Sequence, residues 1–160
     1  MFPSRPRRLP SFSYRGPWRY SLTFCCAHRH DAFVDPRVVS NLTSLLLRTA
    51  AEQQFEVVAY CFMPNHLHLL VEGLSDDSEL VAFCRLARQR LAHAYARCTG
   101  RPLWQPGYWE HVLREGDTSE ACALYIFGNP LRKKLAQSIG EYPYSGGTWF
   151  DKVGGSGGPS

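Results

Sequence analysis

The chain predicts an α+β fold of the ferredoxin-like kind, an antiparallel βαββαβ sheet with two helices on one face and a further helix toward the C-terminus. Three observations carry this. Short period-two segments alternate with longer segments of helical period; each boundary has its own capping or turn residues; and 160 residues (18.2 kDa) suffice for one domain with one core.

The elements follow in order. Residues 18–25 alternate Tyr20, Leu22 and Phe24 with Arg19, Ser21 and Thr23, the pattern of a half-buried strand. Asp35-Pro36 supplies an N-cap and a proline at the first helical position, and Val38, Val39, Leu42, Leu45, Leu46, Thr49 and Ala50 recur at helical spacing up to about residue 54. Residues 55–62 and 66–71 are apolar runs joined by Met63-Pro64-Asn65, which reads as a hairpin. A second long helix over 78–99 carries Leu80, Cys84, Ala87, Leu91 and Tyr95 on one stripe, with Gly100 and Pro102 marking its end. Residues 108–114 alternate again. Asp117 or Thr118 caps a third helix that is expected to run to Asn129 and to break or kink at Pro130.

Composition narrows the function. Hydrophobic residues make up 44%, charged 20% and aromatic 13%, a globular balance rather than that of a disordered chain. No apolar run is long enough to span a bilayer and residues 1–17 lack a signal-peptide core, so a reduced, cytoplasmic setting is expected. The six cysteines, Cys25, Cys26, Cys61, Cys84, Cys98 and Cys122, contain no C-x-x-C pair and read as free thiols. Net charge is +4, but six arginines (5, 7, 8, 15, 19 and 29) precede the first acid, Asp31, so residues 1–30 carry +6 and the rest −2. Such a segment suits a polyphosphate such as nucleic acid, and equally a solubilising tail or a transit peptide, which is also Arg-rich and acid-poor.

Two stretches could carry chemistry. Along a strand His66 and His68 share a face, where two imidazoles can chelate a cation or simply sit satisfied on a half-exposed strand. On a helix Tyr125 and Asn129 stand at i and i+4, so a phenol and a carboxamide point the same way; Asn129 is then a third ligand or only a helix cap. Tyr95, Tyr108, Tyr142 and Tyr144 are rival phenols without the i+4 carboxamide. His111 reads as a further ligand, as a group that supports a ligand from behind, or as structural. Gly128 is a poor helix former that would loosen the end of this helix.

The Met-Pro-Asn-His-Leu-His-Leu-Leu run at 63–70, Gly-Tyr-Trp-Glu-His-Val-Leu-Arg at 107–114, Tyr125-Ile126 followed by Asn129-Pro130, and Tyr-Pro-Tyr-Ser at 142–145 together resemble the single-tyrosine HUH transposases with an IS200-like domain, in particular the REP-associated tyrosine transposases. The resemblance covers about residues 18–145. It implies a metal-dependent endonuclease and strand transferase that nicks and rejoins single-stranded DNA at a structured, hairpin or REP-like site through a 5′-phosphotyrosine. By this resemblance Tyr125 is the nucleophile, His66, His68 and Asn129 hold the metal, the cofactor is Mg²⁺ or Mn²⁺, the location is nucleoid-associated, and the protein is a homodimer or a monomer. Imidazole ligands by themselves favour manganese, cobalt or zinc.

The expected organisation is a basic Pro/Arg-rich arm (1–17), a catalytic domain (18–145) and a flexible Gly/Ser-rich tail (146–160). DNA contacts are expected from Arg5, Arg7, Arg8 and Arg15 of the arm and from Arg85, Arg88, Arg132, Lys133 and Lys134. Two other readings remain at this level: a catalytically silent nucleic-acid-binding module of the same fold, and a phosphoesterase acting through an activated water.

Overall fold

The computed structural model describes residues 12–154, and only the backbone for 152–154. Its elements are β1 (Arg19–Cys25), α1 (Pro36–Glu52), β2 (Phe55–Met63), β3 (His66–Gly73), α2 (Leu80–Thr99), β4 (Trp109–Val112), α3 (Ser119–Arg132), β5 (Ser145–Gly146) and α4 (Thr148–Gly154). The strands form one antiparallel sheet in the order β4-β1-β3-β2-β5. The α+β, ferredoxin-like expectation holds.

Strand alternation divides the sheet into two faces. Tyr20, Leu22 and Phe24 of β1 and Leu67, Leu69 and Val71 of β3 join Phe83, Cys84, Ala87 and Leu91 of α2 and Leu42 and Leu46 of α1 in one core. A bulge in β2 between Val57 and Ala59 keeps Phe55, Val57 and Phe62 in that same core, while Val58, Cys61 and Met63 pack with Ala123, Ile126 and Phe127 of α3 on the other face. The helix ends use the expected chemistry. Asp35 accepts from the Arg37 N–H, Thr118 accepts from the Ala121 N–H, and Gly100 closes α2 at φ 71°. Glu79 caps α2 by accepting from Val81 and Ala82 N–H.

Two expectations are corrected. Helix α3 does not stop at Asn129. It continues to Arg132 because the Lys133 N–H donates to the Asn129 carbonyl (3.1 Å) across the proline, and only the bond that Pro130 cannot donate is lost. Nor do residues 146–154 belong to a flexible tail. Trp149 and Phe150 of α4 cover Phe127 with ring centroids 5.6 and 4.3 Å away, apolar surface that the Gly/Ser content had masked. Gly147 makes this return possible: it sits at φ 127°, and a Cβ there would lie 2.3 Å from the Val58 carbonyl oxygen. Residues 155–160 lie outside the described set.

Candidate functional site: a histidine pair facing the tyrosine helix

The second face of the sheet is apolar where β2 packs against α3 and turns polar along β1 and β3 at Thr23, His66 and His68. Beside α3 it opens into a cleft of about 960 Å³, lined among others by Thr23, Asn65, His66, His68, Tyr125, Asn129, Arg132 and Lys133. All belong to a single chain.

The two imidazoles converge. His66 Nε2 and His68 Nε2 are 3.0 Å apart, with rings at 90°. The other nitrogen of each ring is held from behind: His66 Nδ1 meets Asn65 Oδ1 at 2.7 Å and His68 Nδ1 meets Thr23 Oγ1 at 3.1 Å. Since Asn65 Oδ1 only accepts, His66 carries its proton on Nδ1 and turns an Nε2 lone pair toward the cleft. Thr23 can donate or accept, so it supports His68 in either tautomer. Thr23 faces His68 because the β1–β3 register pairs them, a link between residues 45 positions apart that no local pattern reveals.

Both rings are poor proton acceptors. Burial first, then the charges of Lys133 and Arg29, lower the His66 pKa to about 4; burial, then His66 and Arg132, lower that of His68 to about 3. At neutral pH both are uncharged, the form that ligates a metal.

Helix α3 brings the remaining groups. Tyr125 is 62% exposed, whereas the rival Tyr95 and Tyr142 are 4% and 8% exposed, and the Tyr142 hydroxyl donates to the Phe62 carbonyl. Asn129 is 9% exposed and, among the described residues, its Nδ2 has no hydrogen-bond partner. Its Oδ1 accepts from Arg132 Nη2 at 2.6 Å. Among the described residues no group of three His, Cys, Asp or Glu side chains gathers as a metal site; two neutral imidazoles and a carboxamide oxygen are nevertheless a donor set that suits a divalent cation. The residues fit the metal that the resemblance implies.

The expected DNA contacts divide. Arg132 and Lys133 line the cleft. Arg15 lies near the opposite end of β1, paired with Asp77 at 2.8 Å. Arg85 is exposed on α2, across the sheet from the histidines, and Lys134 follows the end of α3 at φ 59°. Arg88 sits over the rings of Phe24, Trp104 and Tyr108 and donates to the Gln105 carbonyl, which fastens the segment before β4. Arg5, Arg7 and Arg8 lie outside the described residues. His111 does not line the cleft: it stacks on Trp109 and contacts Asp117 at 3.3 Å, at the turn before α3. Sequence reading missed Thr23, Asn65 and Arg29. Arg29 lines the cleft from a short 3₁₀ turn in which His28 and Arg29 both have positive φ (53° and 54°), a conformation that non-glycine residues rarely adopt.

Comparison with known proteins places this architecture. The sequence profile of the family described as Transposase IS200 like matches residues 17–129. The chain belongs to this family. Among curated relatives of this family member, the REP-associated tyrosine transposase of Escherichia coli K12 is 24% identical over 104 residues, 65% of this chain and 61% of the relative. The chain thus matches less than two thirds of that relative's length. The ISDra2 transposase TnpA of Deinococcus radiodurans is 29% identical over 96 residues, 56% of this chain and 68% of that protein. In fold, the chain is similar to a REP-associated tyrosine transposase solved bound to a REP hairpin, with a TM-score of 0.73 at 22% identity over 94% of this chain and 86% of that one. No helix among the described residues is long and apolar enough to cross a membrane.

Proposed function

We propose that this IS200-like family member nicks and rejoins single-stranded DNA at a hairpin-bearing site through a covalent tyrosine intermediate. The observation that carries the reading is the meeting, in one cleft of one chain, of an exposed phenol at Tyr125 with two converging neutral imidazoles at His66 and His68. Family membership and the hairpin held by the relative of similar fold support it.

In this reading His66, His68 and Asn129 hold a divalent metal, Mg²⁺ or Mn²⁺, which when bound neutralises charge on the scissile phosphate. Asn65 and Thr23 fix the imidazoles so that no reorganisation is needed at the moment of reaction. The Tyr125 phenol, 62% exposed, gives its proton to solvent water as its oxygen attacks phosphorus. The bond to the 3′ oxygen breaks, and that oxygen takes up a proton and leaves as a free 3′-OH. A 5′-phosphotyrosine remains, and because the phosphodiester energy is kept in it, a 3′-OH can reverse the attack and seal or transfer the strand without another energy source. Lys133 and Arg29 at the rim offer cations to the flanking phosphates. In this reading Tyr125 serves the histidine pair of its own protomer, and the protein acts at the nucleoid, where its substrate lies.

The test is a labelled single-stranded hairpin oligonucleotide incubated with protein and Mn²⁺ and resolved under denaturing conditions. A protein–DNA adduct that forms with the parent and not with Tyr125→Phe is expected. Cleavage that persists in Tyr125→Phe without an adduct would mean an activated water instead. DNA binding that is unaltered by His66→Ala with His68→Ala, with no cleavage by the parent, would mean a silent binding module.

A further inference from the structure

Tyr125, Asn129 and Arg132 stand at i, i+4 and i+7 on α3, one above another on the face that lines the cleft. Arg132 folds back along this stripe. Its Nη2 donates to the Tyr125 carbonyl oxygen at 2.7 Å and to Asn129 Oδ1 at 2.6 Å, and its guanidinium carbon lies 4.2 Å from the centre of the Tyr125 ring. Gly128 leaves room for this path: a Cβ there would come 2.8 Å from Arg132 Nη1. The glycine read from sequence as a loosening of the helix therefore accommodates the arginine instead. Asn129 Oδ1, the oxygen that completes the donor set, is already held by a cation belonging to the protein. A divalent ion drawn to the histidine pair and Asn129 meets a like charge on the same carboxamide oxygen, so the two cations compete.

We propose that Arg132 is a built-in placeholder for the metal at Asn129, released when a backbone phosphate of the DNA takes its guanidinium, so that DNA binding and metal binding favour one another. The inference rests on the reading of His66, His68 and Asn129 as metal-holding groups. A planar fork that loses a carboxamide and gains a phosphate exchanges a neutral acceptor for a charged one, which supplies the preference for the DNA-bound arrangement. By linkage, whatever factor DNA adds to metal affinity, metal adds to DNA affinity. Arg132 is thus a positioning residue acting through Asn129.

The experiment uses the full chain with Tyr125→Phe, which keeps the ring under the guanidinium and removes the chemistry, and measures Mn²⁺ binding by calorimetry without DNA. In this background Arg132→Gln is expected to bind Mn²⁺ about tenfold more tightly, the size of a typical coupling between sites. Gly128→Ala, which crowds the guanidinium off its path, should move affinity in the same direction by a smaller factor. Equal or weaker Mn²⁺ binding in both variants overturns the proposal, since an arginine that merely props up Asn129 would weaken binding when removed. The phosphate half is read from binding of a twelve-residue oligothymidylate over a salt series: Arg132→Gln should make the log–log slope shallower by about 0.7, because one phosphate is no longer neutralised, and an unchanged slope overturns the exchange. Loss of Mn²⁺ binding in His66→Ala with His68→Ala separates the two levels. If that double variant binds Mn²⁺ like its parent, the metal site itself is misplaced, whatever Arg132 does.

Discussion

The two faces of the sheet are built from the same strands and do opposite work. On the face under α1 and α2, Leu22, Phe24, Leu67 and Leu69 are fully buried. On the other, the residues between them in sequence, Thr23, His66 and His68, form a polar strip that α3 covers only in part. Period-two alternation makes this division unavoidable: a strand that packs its odd residues must present its even ones elsewhere. The comparison teaches that stability and chemistry are interleaved along β1 and β3 at single-residue spacing, and are therefore separable by substitution.

The sharpest break between the faces is expected from the nucleophile. Tyr125→Phe should lower the rate of adduct formation at least about 10³-fold, read on denaturing gels, while the unfolding midpoint stays close to that of the parent because the side chain is 62% exposed. The converse belongs to the core face. Leu69→Ala should cost about 2–5 kcal/mol in denaturant unfolding, and at temperatures where the variant is folded it should keep its Mn²⁺ affinity. A variant that lost metal binding while folded would show that the faces are not independent.

Thr23→Val tests the strip itself. Removing the hydroxyl behind His68 Nδ1 should weaken Mn²⁺ binding about 10- to 100-fold by titration, with a stability change of about 1 kcal/mol, the usual worth of one hydrogen bond. A further test concerns pH. His66 and His68 have depressed pKa values, about 4 and about 3, against about 6.5 in an unfolded chain. The unfolded state binds more protons in that window, so the stability of the metal-free protein is full above pH 6.5 and falls as pH drops toward 4 and then 3. Thermal unfolding of His66→Ala with His68→Ala should show a flatter acid limb. An identical limb would mean that other groups set the acid sensitivity.

Much of the fold was legible because its signals are local. The caps at Asp35 and Thr118, the left-handed Gly100 and the hairpin at Met63-Pro64-Asn65 each depend on neighbours a few residues away. The His-x-His pair and the Tyr125–Asn129 stripe were legible for the same reason, as strand and helix periods. Helix α4 was not: Trp149 and Phe150 become ordered by covering Phe127, a partner more than twenty positions earlier. The continuation of α3 past Pro130 depends on a bond from Lys133 and on the packing of a buried proline, and the rule that proline ends helices gave too short an element.

By itself the sequence determined which side chains share a face, since strand and helix periods follow from backbone geometry alone, and its motifs carried the likeness to the IS200-like family. Only the tertiary structure decided that β1 lies in register with β3 so that Thr23 meets His68, that α3 crosses the histidine face rather than the core face, and that Arg132 reaches back to Asn129 over Gly128. The reason is physical: register and helix placement depend on which apolar surfaces close together and exclude water, a property of the whole packed chain and not of any segment of it.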